Sequence, residues 1–283
     1  MEYVTLNNGV QMPLEGFGVF TIEDLDVCEQ AVTDALHTGY RLIDTAAAYF
    51  NEEAVGAAIK KSGIPREELF ITSKLWVQDA GYENAKKGIQ TSLDKLGLDY
   101  MDLYLIHQPF NDYYGSWRAM EEAYAEGKIR AIGLSNFYPG RLTDLTMNAK
   151  VIPAVLQAEM HPFFQQTDAI ENMKQFNIQP QAWAPLAKAS DEILNNEQLK
   201  MIAENYYKTV PQVMLRWNTQ RGVAVIPKST NKERIEENFN IWDFSLTDEE
   251  MATITLLDQG HSQYIDHNSA DSAKLFNDWK IHD

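Results

Sequence analysis

RLIDTAAAYFNEEAVGAAI, residues 41–59, changes from the pattern of a buried strand to that of a helix within a few residues. Leu42 and Ile43 indicate the end of a short apolar strand. Residues 52–59, with apolar positions at 54, 55, 58 and 59, indicate an amphipathic helix. Asp44 and Tyr49 stand at the junction, in an alanine-rich turn with few other polar groups. The stretch predicts one strand–turn–helix unit with a carboxylate and a phenol at the carboxyl end of its strand.

The same alternation recurs along the chain. Short apolar runs lie at 16–20, 41–43, 69–72, 102–106, 131–134, 154–157, 181–184 and 223–226, and helical patterns, such as 85–96, 117–125 and 198–206, follow them. Strands that alternate with helices predict parallel pairing through crossover helices. Eight such units in 283 residues predict a closed (β/α)8 TIM barrel, which we expect to form one domain over residues 1–283.

The two ends of the chain depart from this alternation. Residues 3–12 carry Asn8-Gly9 between two short apolar runs, which predicts a hairpin that caps the bottom of the barrel. From about residue 258 the sequence is polar with scattered aromatic residues and no clear period. We expect this segment to form a C-terminal loop and short helix over the barrel.

The composition restricts the class of partner. There are 24 basic and 41 acidic residues, for a net charge of −17, and this field repels nucleic acid and anionic membranes. The one cysteine, Cys28, excludes an intramolecular disulfide and falls at the spacing of a buried helix face. With neither a leader pattern nor a long apolar run, the sequence favours a cytoplasmic protein.

Polar residues follow or close nearly every predicted strand. In chain order they are Asp44, Ser73-Lys74, His107, Ser135-Asn136, Gln157, Trp183 and Lys228-Ser229-Thr230. In a (β/α)8 barrel the carboxyl ends of the strands meet at one mouth, where the chemistry takes place. We therefore expect these side chains to line a single site.

Four of these residues form a chemically coherent set: Asp44, Tyr49, Lys74 and His107, called the tetrad below. A lysine ammonium near a phenol lowers the phenol pKa by roughly 1–3 units. A carboxylate keeps that lysine charged, and a histidine beside the phenol can orient a carbonyl group. Singly, such an Asp is usually a helix cap, and such a Tyr or His a packing residue. Together they predict a general acid for a carbonyl oxygen.

The chain resembles the aldo-keto reductases, NADP(H)-dependent (β/α)8 oxidoreductases, over nearly its full length. The matching stretches are GFGVF (16–20), IDTAAAYFNE (43–52), SKLW (73–76), LDYMDLYLIHQP (98–109), EGKIRAIGLSNF (126–137), QAEMHPF (157–163), WAPLA (183–187) and IPKSTNKERIEEN (226–238). The likeness is greatest to the prokaryotic-type branch that includes 2,5-diketo-gluconate reductases and broad aldehyde reductases.

The resemblance assigns roles to individual residues. It implies that Tyr49 donates the proton, that Lys74 and Asp44 tune it, and that His107 orients the substrate carbonyl. For NADPH it implies that the nicotinamide carboxamide is bound by Ser135, Asn136 and Gln157, with Trp183 stacked on the nicotinamide ring. It implies that the pyrophosphate lies along Pro185, Leu186 and Ala187. It also implies that the 2′-phosphate is bound by Lys228, Ser229, Thr230 and Arg234, and that the adenine lies near Glu237 and Asn238. Three cations, Lys228, Lys232 and Arg234, clustered in an acidic chain independently favour a phosphate clamp.

The sequence defines the substrate pocket less fully than the cofactor site. Phe20, Trp76 and Phe110 are expected to line an apolar pocket with His107, which suits aldehydes, α-dicarbonyls and small ketones alike. Phe50 stands where many relatives carry glycine, so the loop after Tyr49 is either reshaped or part of the pocket wall. Many relatives are monomers, and we expect the same here.

Two other functions are compatible with the barrel. One is a non-catalytic NADP(H)-binding regulatory subunit, which the presence of the whole tetrad disfavours. The other is a metal-dependent hydrolase using Asp44 and His107. The sequence has no HExxH motif and no second carboxylate at a neighbouring strand end, so we expect no metal site.

Overall fold

The computed structural model describes all residues, 1–283. Eight parallel strands form one sheet in sequential order: β3 (Gly16–Gly18), β4 (Leu42–Asp44), β5 (Phe70–Leu75), β6 (Met101–Ile106), β7 (Ile129–Ser135), β8 (Val155–Glu159), β9 (Gln179–Trp183) and β10 (Ala224–Val225). A separate antiparallel pair, β1 (Tyr3–Thr5) and β2 (Gln11–Pro13), precedes them. The predicted (β/α)8 barrel is confirmed.

Twelve α-helices accompany the strands. They are α1 (Leu25–Thr38), α2 (Glu52–Ser62), α3 (Tyr82–Leu96), α4 (Tyr113–Ala125), α5 (Pro139–Asn148), α6 (Thr167–Gln175), α7 (Asp191–Leu194), α8 (Glu197–Asn205), α9 (Val210–Gln220), α10 (Lys232–Phe239), α11 (Asp248–Thr255) and α12 (Ala270–Asp278). Helix α2 shows why they form where they do. Its first turn carries Glu52 and Glu53 and its last turn Lys60 and Lys61, which complement the helix dipole, and Gly63 ends it at φ 66°.

The barrel closes between its first and last strands. The Val225 N–H donates to the Leu14 carbonyl at 2.9 Å, and the Gly18 N–H donates to the Pro227 carbonyl at 3.0 Å. A Cβ on residue 18 would lie 3.0 Å from the Ile226 carbonyl oxygen, so glycine permits this close approach. The seam is short because β10 pairs over only two residues.

Strand bounds differ from the sequence prediction where polar residues belong to strands. β8 continues to Glu159, and β9 begins at Gln179 and ends at Trp183. A strand predicted from a run of apolar residues ends where polar residues interrupt the run. Inside a barrel, however, a polar side chain can point into the mouth and leave the backbone ladder intact. Glu159, which lies beyond the predicted run 154–157, is such a residue, because it contacts the C-terminal segment at the mouth.

Both ends of the barrel are covered as predicted. At the amino ends of the strands, Leu6, Met12 and Leu14 of the N-terminal hairpin region pack with Leu42 and Phe70 in one apolar cluster. At the mouth, Phe276 of α12 packs with Trp76 and Phe110. Cys28 is buried in α1, as expected, and burial raises the pKa of its thiol to about 12.

No helix combines the length and the apolar character that crossing a bilayer requires.

Candidate active site

The tetrad comes together at the mouth. Asp44 is the last residue of β4, Lys74 is the penultimate residue of β5, and His107 follows β6 directly. Lys74 Nζ lies 2.5 Å from Asp44 Oδ1 and 3.4 Å from Tyr49 Oη. The rings of Tyr49 and His107 meet edge to face with their centroids 5.5 Å apart.

A buried asparagine holds the turn that carries Tyr49. Asn51 accepts a hydrogen bond from Thr45 Oγ1 at 2.7 Å, and its Nδ2 donates to the carbonyls of Val19 and Ile22 at 3.0 and 3.1 Å. These bonds fix the turn against the segment after β3, and so place the phenol beside Lys74. The sequence analysis did not single out Asn51, because an Asn before a helix is usually read as a cap only.

Phe50 keeps the backbone conformation that favours glycine. Its φ of 58° and ψ of 22° lie in the left-handed region, and its side chain is 57% exposed. The left-handed conformation costs a residue with a Cβ about 1–2 kcal/mol. Phe50 therefore carries local strain directly after the proton-donor candidate, and its side chain is exposed rather than part of the core.

The Asp44–Lys74 pair is excluded from water, with side-chain exposures of 2% and 0%. Burial lowers the pKa of the Lys74 ammonium, and the charge and hydrogen bond of Asp44 oppose that change. Burial likewise raises the pKa of Asp44, opposed by Lys74 and by a hydrogen bond from Gln157. Lys74 also donates to the Thr45 carbonyl at 2.8 Å. The attraction between the two charges and these fixed hydrogen bonds thus oppose the effect of burial on each group.

The predicted downward shift of the Tyr49 pKa was wrong for this ligand-free site. Burial raises the pKa of the Tyr49 phenol well above its usual value, and the Asp44 charge raises it further. The sequence prediction counted the ammonium of Lys74 but neither the desolvation of the phenol nor the second charge behind the lysine. The phenol therefore holds its proton throughout the neutral range, as a proton donor must.

The surroundings of His107 favour the neutral imidazole. Burial lowers its pKa well below the usual value, and the charges of Lys74 and His267 add to the effect. Its ring also packs edge to face on Trp76, with the centroids 5.2 Å apart. A neutral ring with fixed orientation can donate one N–H to a carbonyl oxygen.

A second group of predicted residues lies beside the tetrad. Asn136, at φ 65°, donates from Nδ2 to Ser135 Oγ at 3.1 Å and to the His107 carbonyl at 3.1 Å. Trp183 Nε1 donates to Asn136 Oδ1 at 2.8 Å. Gln157 Nε2 donates to Asp44 Oδ2 at 2.8 Å. Hydrogen bonds thus link the residues predicted for the nicotinamide to one another and to the tetrad.

The segment after β9 has an unusual backbone. Pro185 and Ala187 are buried and Leu186 is half-buried, while Ala184, Ala187, Lys188 and Ala189 all have φ between 47° and 52°. Non-glycine residues seldom adopt this region, and such strain often accompanies ligand sites.

The predicted phosphate-binding residues lie at the amino end of α10. Asn231 caps this helix by accepting from the Arg234 N–H at 3.0 Å. Lys228, Thr230 and Arg234 are exposed and Ser229 is buried. None of Lys228, Lys232 and Arg234 pairs with a carboxylate, although the chain has 41 acidic residues. Three unpaired cations at a helix N-terminus suit a phosphate group.

The two residues predicted near the adenine lie on the same helix. Glu237 is half-buried and already accepts a hydrogen bond from Thr209 Oγ1 at 2.9 Å. Asn238 is buried. Their place on α10 is compatible with the predicted role.

The predicted pocket residues differ in exposure. Phe20 is 50% exposed and its ring packs on Tyr49, with centroids 5.0 Å apart. Trp76 and Phe110 are buried, because α12 lies over them: Trp76 Nε1 donates to the Trp279 carbonyl at 2.9 Å, and Phe110 stacks on Phe276. Phe20 therefore forms the open rim, and the other two form the floor beneath the C-terminal segment.

Glu159 was missed by the sequence analysis, although it lies within the matching stretch QAEMHPF. Its carboxylate accepts from Ser262 Oγ at 2.5 Å and from the Gln263 N–H at 2.9 Å. These bonds hold the C-terminal segment so that the ring of Tyr264 lies 6.0 Å from that of Trp183. The signal was available, because Glu159 is two residues after Gln157 and so faces the same way on β8.

Comparison with known proteins agrees with this geometry. The sequence model of the aldo/keto reductase family matches residues 23–259. The chain is 49% identical to glyoxal reductase of Bacillus subtilis (strain 168) over 91% of this chain and 93% of that protein. It is 48% identical to 9,11-endoperoxide prostaglandin H2 reductase of Trypanosoma cruzi (strain CL Brener) over 90% of this chain and 91% of that protein.

Solved structures show the same fold. An aldo-keto reductase from a Medee basin deep-sea metagenome library superposes with a TM-score of 0.93 at 44% identity, covering 95% of this chain and 99% of that one. A Bombyx mori aldo-keto reductase in complex with NADP superposes with a TM-score of 0.90 at 34% identity, covering 96% of each chain. The predicted resemblance is confirmed: the chain belongs to the aldo/keto reductase family and is an oxidoreductase.

Proposed function

We propose that this oxidoreductase reduces small aldehydes and ketones to alcohols, with NADPH as the hydride donor and Tyr49 as the proton donor. The observation that carries the proposal is the contact of the half-buried Tyr49 with the buried Lys74–Asp44 pair, beside a His107 whose pKa burial lowers. A buried ammonium 3.4 Å from the hydroxyl of a half-buried phenol has no evident structural purpose that an apolar pair would not serve better.

The chain's residues fit NADPH. The three unpaired cations near the start of α10 suit its 2′-phosphate, and the half-buried indole of Trp183 offers a face to the nicotinamide. When bound, NADPH supplies the hydride that the carbonyl carbon accepts.

The tetrad then handles the proton. Tyr49, protonated because burial raises its pKa, gives its proton to the carbonyl oxygen as negative charge develops there. The ammonium of Lys74, 3.4 Å from Tyr49 Oη, stabilises the phenolate that remains. Asp44 holds that ammonium in place at 2.5 Å.

The other residues orient the substrate. His107 donates from its neutral ring to the carbonyl oxygen and so directs that oxygen toward the Tyr49 hydroxyl. Phe20 and Trp76 flank Tyr49 and His107 respectively with apolar surface, which keeps water away from the developing charge.

The substrate class follows from the pocket and the relatives. The rim is aromatic at Phe20, and two relatives near 50% identity are a glyoxal reductase and a 9,11-endoperoxide prostaglandin H2 reductase. We propose small aldehydes and α-dicarbonyls as the main substrates, turned over by a single-domain monomer spanning residues 1–283.

The test is loss of the near-ultraviolet absorbance of NADPH when the protein meets glyoxal, a simple aromatic aldehyde and a simple ketone. We expect oxidation with the aldehydes, weaker oxidation with the ketone, and slower turnover with NADH. Binding of NADPH without oxidation by any of them would contradict the proposal and favour the non-catalytic regulatory subunit.

A further inference from the structure

A row of polar side chains crosses the barrel interior behind the tetrad. Gln157 Nε2 lies 2.8 Å from Asp44 Oδ2 and 2.9 Å from Gln181 Oε1. Gln157 on β8 and Gln181 on β9 are register partners, so they occupy the same layer of the barrel. Their exposures are 2% and 0%. The row therefore joins Lys74 through Asp44 and Gln157 to a glutamine that the proposed mechanism does not use.

The charge of Asp44 fixes the polarity of this row. A carboxylate only accepts hydrogen bonds, so the NH2 group of Gln157 must face Asp44. The second hydrogen of that NH2 group goes to Gln181 Oε1. With both hydrogens committed, Oε1 is the one polar side-chain atom of Gln157 left for a ligand. If the Gln157 amide were rotated by 180°, its Oε1 would instead lie against two acceptors, Asp44 Oδ2 and Gln181 Oε1.

The side chain of Gln181 accepts the hydrogen bond from Gln157 but leaves its own donor unsatisfied. Its Nε2 is buried with no hydrogen-bond partner. A buried donor without a partner destabilises a protein, and an apolar side chain of the same length would avoid the loss. Packing alone therefore does not account for a glutamine at this position.

We propose that Gln181 is a positioning residue for the nicotinamide end of the site. It holds the Gln157 amide, jointly with Asp44, so that the Gln157 oxygen faces the mouth as an acceptor. The same contact keeps the Gln157 N–H on Asp44 and so supports the Asp44–Lys74 pair. This inference rests on the proposed NADPH-dependent function.

The test is Gln181→Met, which keeps the length of the side chain and removes the acceptor. We expect the dissociation constants of NADPH and NADH, measured by calorimetry, to rise by the same factor, about three- to tenfold, the size of one neutral hydrogen bond. The factor is equal because the two cofactors share the nicotinamide. We expect the thermal midpoint of the ligand-free protein to change little, because the variant removes the unpartnered Gln181 donor but leaves the second hydrogen of the Gln157 amide without its acceptor.

Gln179→Met is the matched control, two residues earlier on the same strand. Gln179 Nε2 donates to the Pro180 and Gly222 carbonyls, away from Asp44, so its loss should leave both dissociation constants unchanged. Dissociation constants for Gln181→Met within twofold of the wild type would overturn the proposal. So would weakening of NADPH alone, or a fall in thermal midpoint larger than that of Gln179→Met, which would assign Gln181 to packing.

Failure of the proposed function would look different. It would be seen in the wild-type protein as a lack of NADPH oxidation with any carbonyl compound, whereas failure of the present inference is seen in cofactor binding by the variant.

Discussion

Two buried carboxylates with cationic partners lie at opposite ends of the barrel. At the base, Asp102 near the start of β6 accepts from Arg66 at 2.6 Å, from Arg130 at 2.7 Å and from the Ile71 N–H at 2.9 Å. At the mouth, Asp44 at the end of β4 accepts from Lys74 at 2.5 Å and from Gln157 at 2.8 Å. Both carboxylates use both of their oxygens.

The cations differ in what they can do. A guanidinium keeps its proton under all ordinary conditions, and those of Arg66 and Arg130 retain side-chain exposures of 20% and 42%. The Lys74 ammonium has 0% exposure, its pKa is lowered by burial, and it contacts a phenol. The comparison teaches that a buried ion pair alone indicates little. A fully desolvated, titratable cation with a third ionisable partner indicates chemistry.

Replacing the cation at each end should separate these roles most strongly. Lys74→Met removes the charge that stabilises the Tyr49 phenolate, so we expect a fall in kcat of about 10²–10⁴-fold. Arg66→Met, at the base, should leave kcat per folded molecule close to the wild type. Steady-state NADPH oxidation with a reactive aldehyde measures both, and comparable losses in the two variants would erase the distinction.

Neutralising the carboxylate at the base should affect stability instead. Asp102→Asn leaves Arg66 and Arg130 without a counter-charge. Because both guanidinium groups keep some contact with water, we expect the free energy of unfolding to fall by about 2–4 kcal/mol in urea denaturation. The control is Glu29→Gln, which breaks the exposed Lys61–Glu29 pair and should cost less than about 1 kcal/mol. A loss no larger than the control's would show that the ion pairs of Asp102 do not stabilise the barrel.

Glu15 extends the comparison, because it is a buried carboxyl group that forms no ion pair. Burial raises its pKa to about 8, opposed by hydrogen bonds from Trp242 and Tyr40. The folded protein thus binds a proton more tightly than the unfolded chain does. The stability due to this group is fully present below the ordinary carboxyl pKa and is lost as the pH rises through about 8.

Glu15→Gln should remove that dependence. Relative to the wild type, we expect the variant to gain about 2–4 kcal/mol in free energy of unfolding between about pH 5 and pH 9. Glu171→Gln on the exposed face of α6 is the control, and its difference from the wild type should stay small at every pH. A difference for Glu15→Gln that is equally flat would mean that the carboxyl group is not desolvated in solution.

Arg234→Ala tests the exposed cations at the rim, where the smallest effect is expected. One charge-assisted contact is worth roughly 1.5–3 kcal/mol, so NADPH affinity should fall about ten- to a hundredfold while NADH affinity changes little. Titration of both cofactors measures this. Equal weakening of the two would remove Arg234 from the 2′-phosphate site.

The sequence determined the barrel and the place of the tetrad because both depend on local alternation. Every strand produces an apolar run, and the residue at its carboxyl end must face the mouth. This reasoning located Asp44 and His107 without any knowledge of which strands are neighbours. It also found the hairpin, since Asn8-Gly9 is a local signal, and Gly9 has φ 87° as such a turn requires.

Features that depend on contacts between distant segments were not predictable in this way. The Glu159–Ser262 bond joins residues 103 positions apart, and Gln157 meets Asp44 across 113. The direction of the Tyr49 pKa shift was also missed, because burial is a property of the packed mouth and not of any local pattern. Position could be inferred from the sequence, whereas electrostatic environment could not.

The central claim is that Tyr49 donates the proton, and Tyr49→Phe tests it most directly. The variant removes one hydroxyl from the mouth and leaves the phosphate-binding and nicotinamide-binding residues untouched. Two quantities are needed from the same preparation: the rate of NADPH oxidation with a reactive aldehyde, and the dissociation constant of NADPH. The account predicts a rate at least 10²–10⁴-fold lower with NADPH affinity close to that of the wild type. Near-normal turnover would contradict it and make the phenol structural.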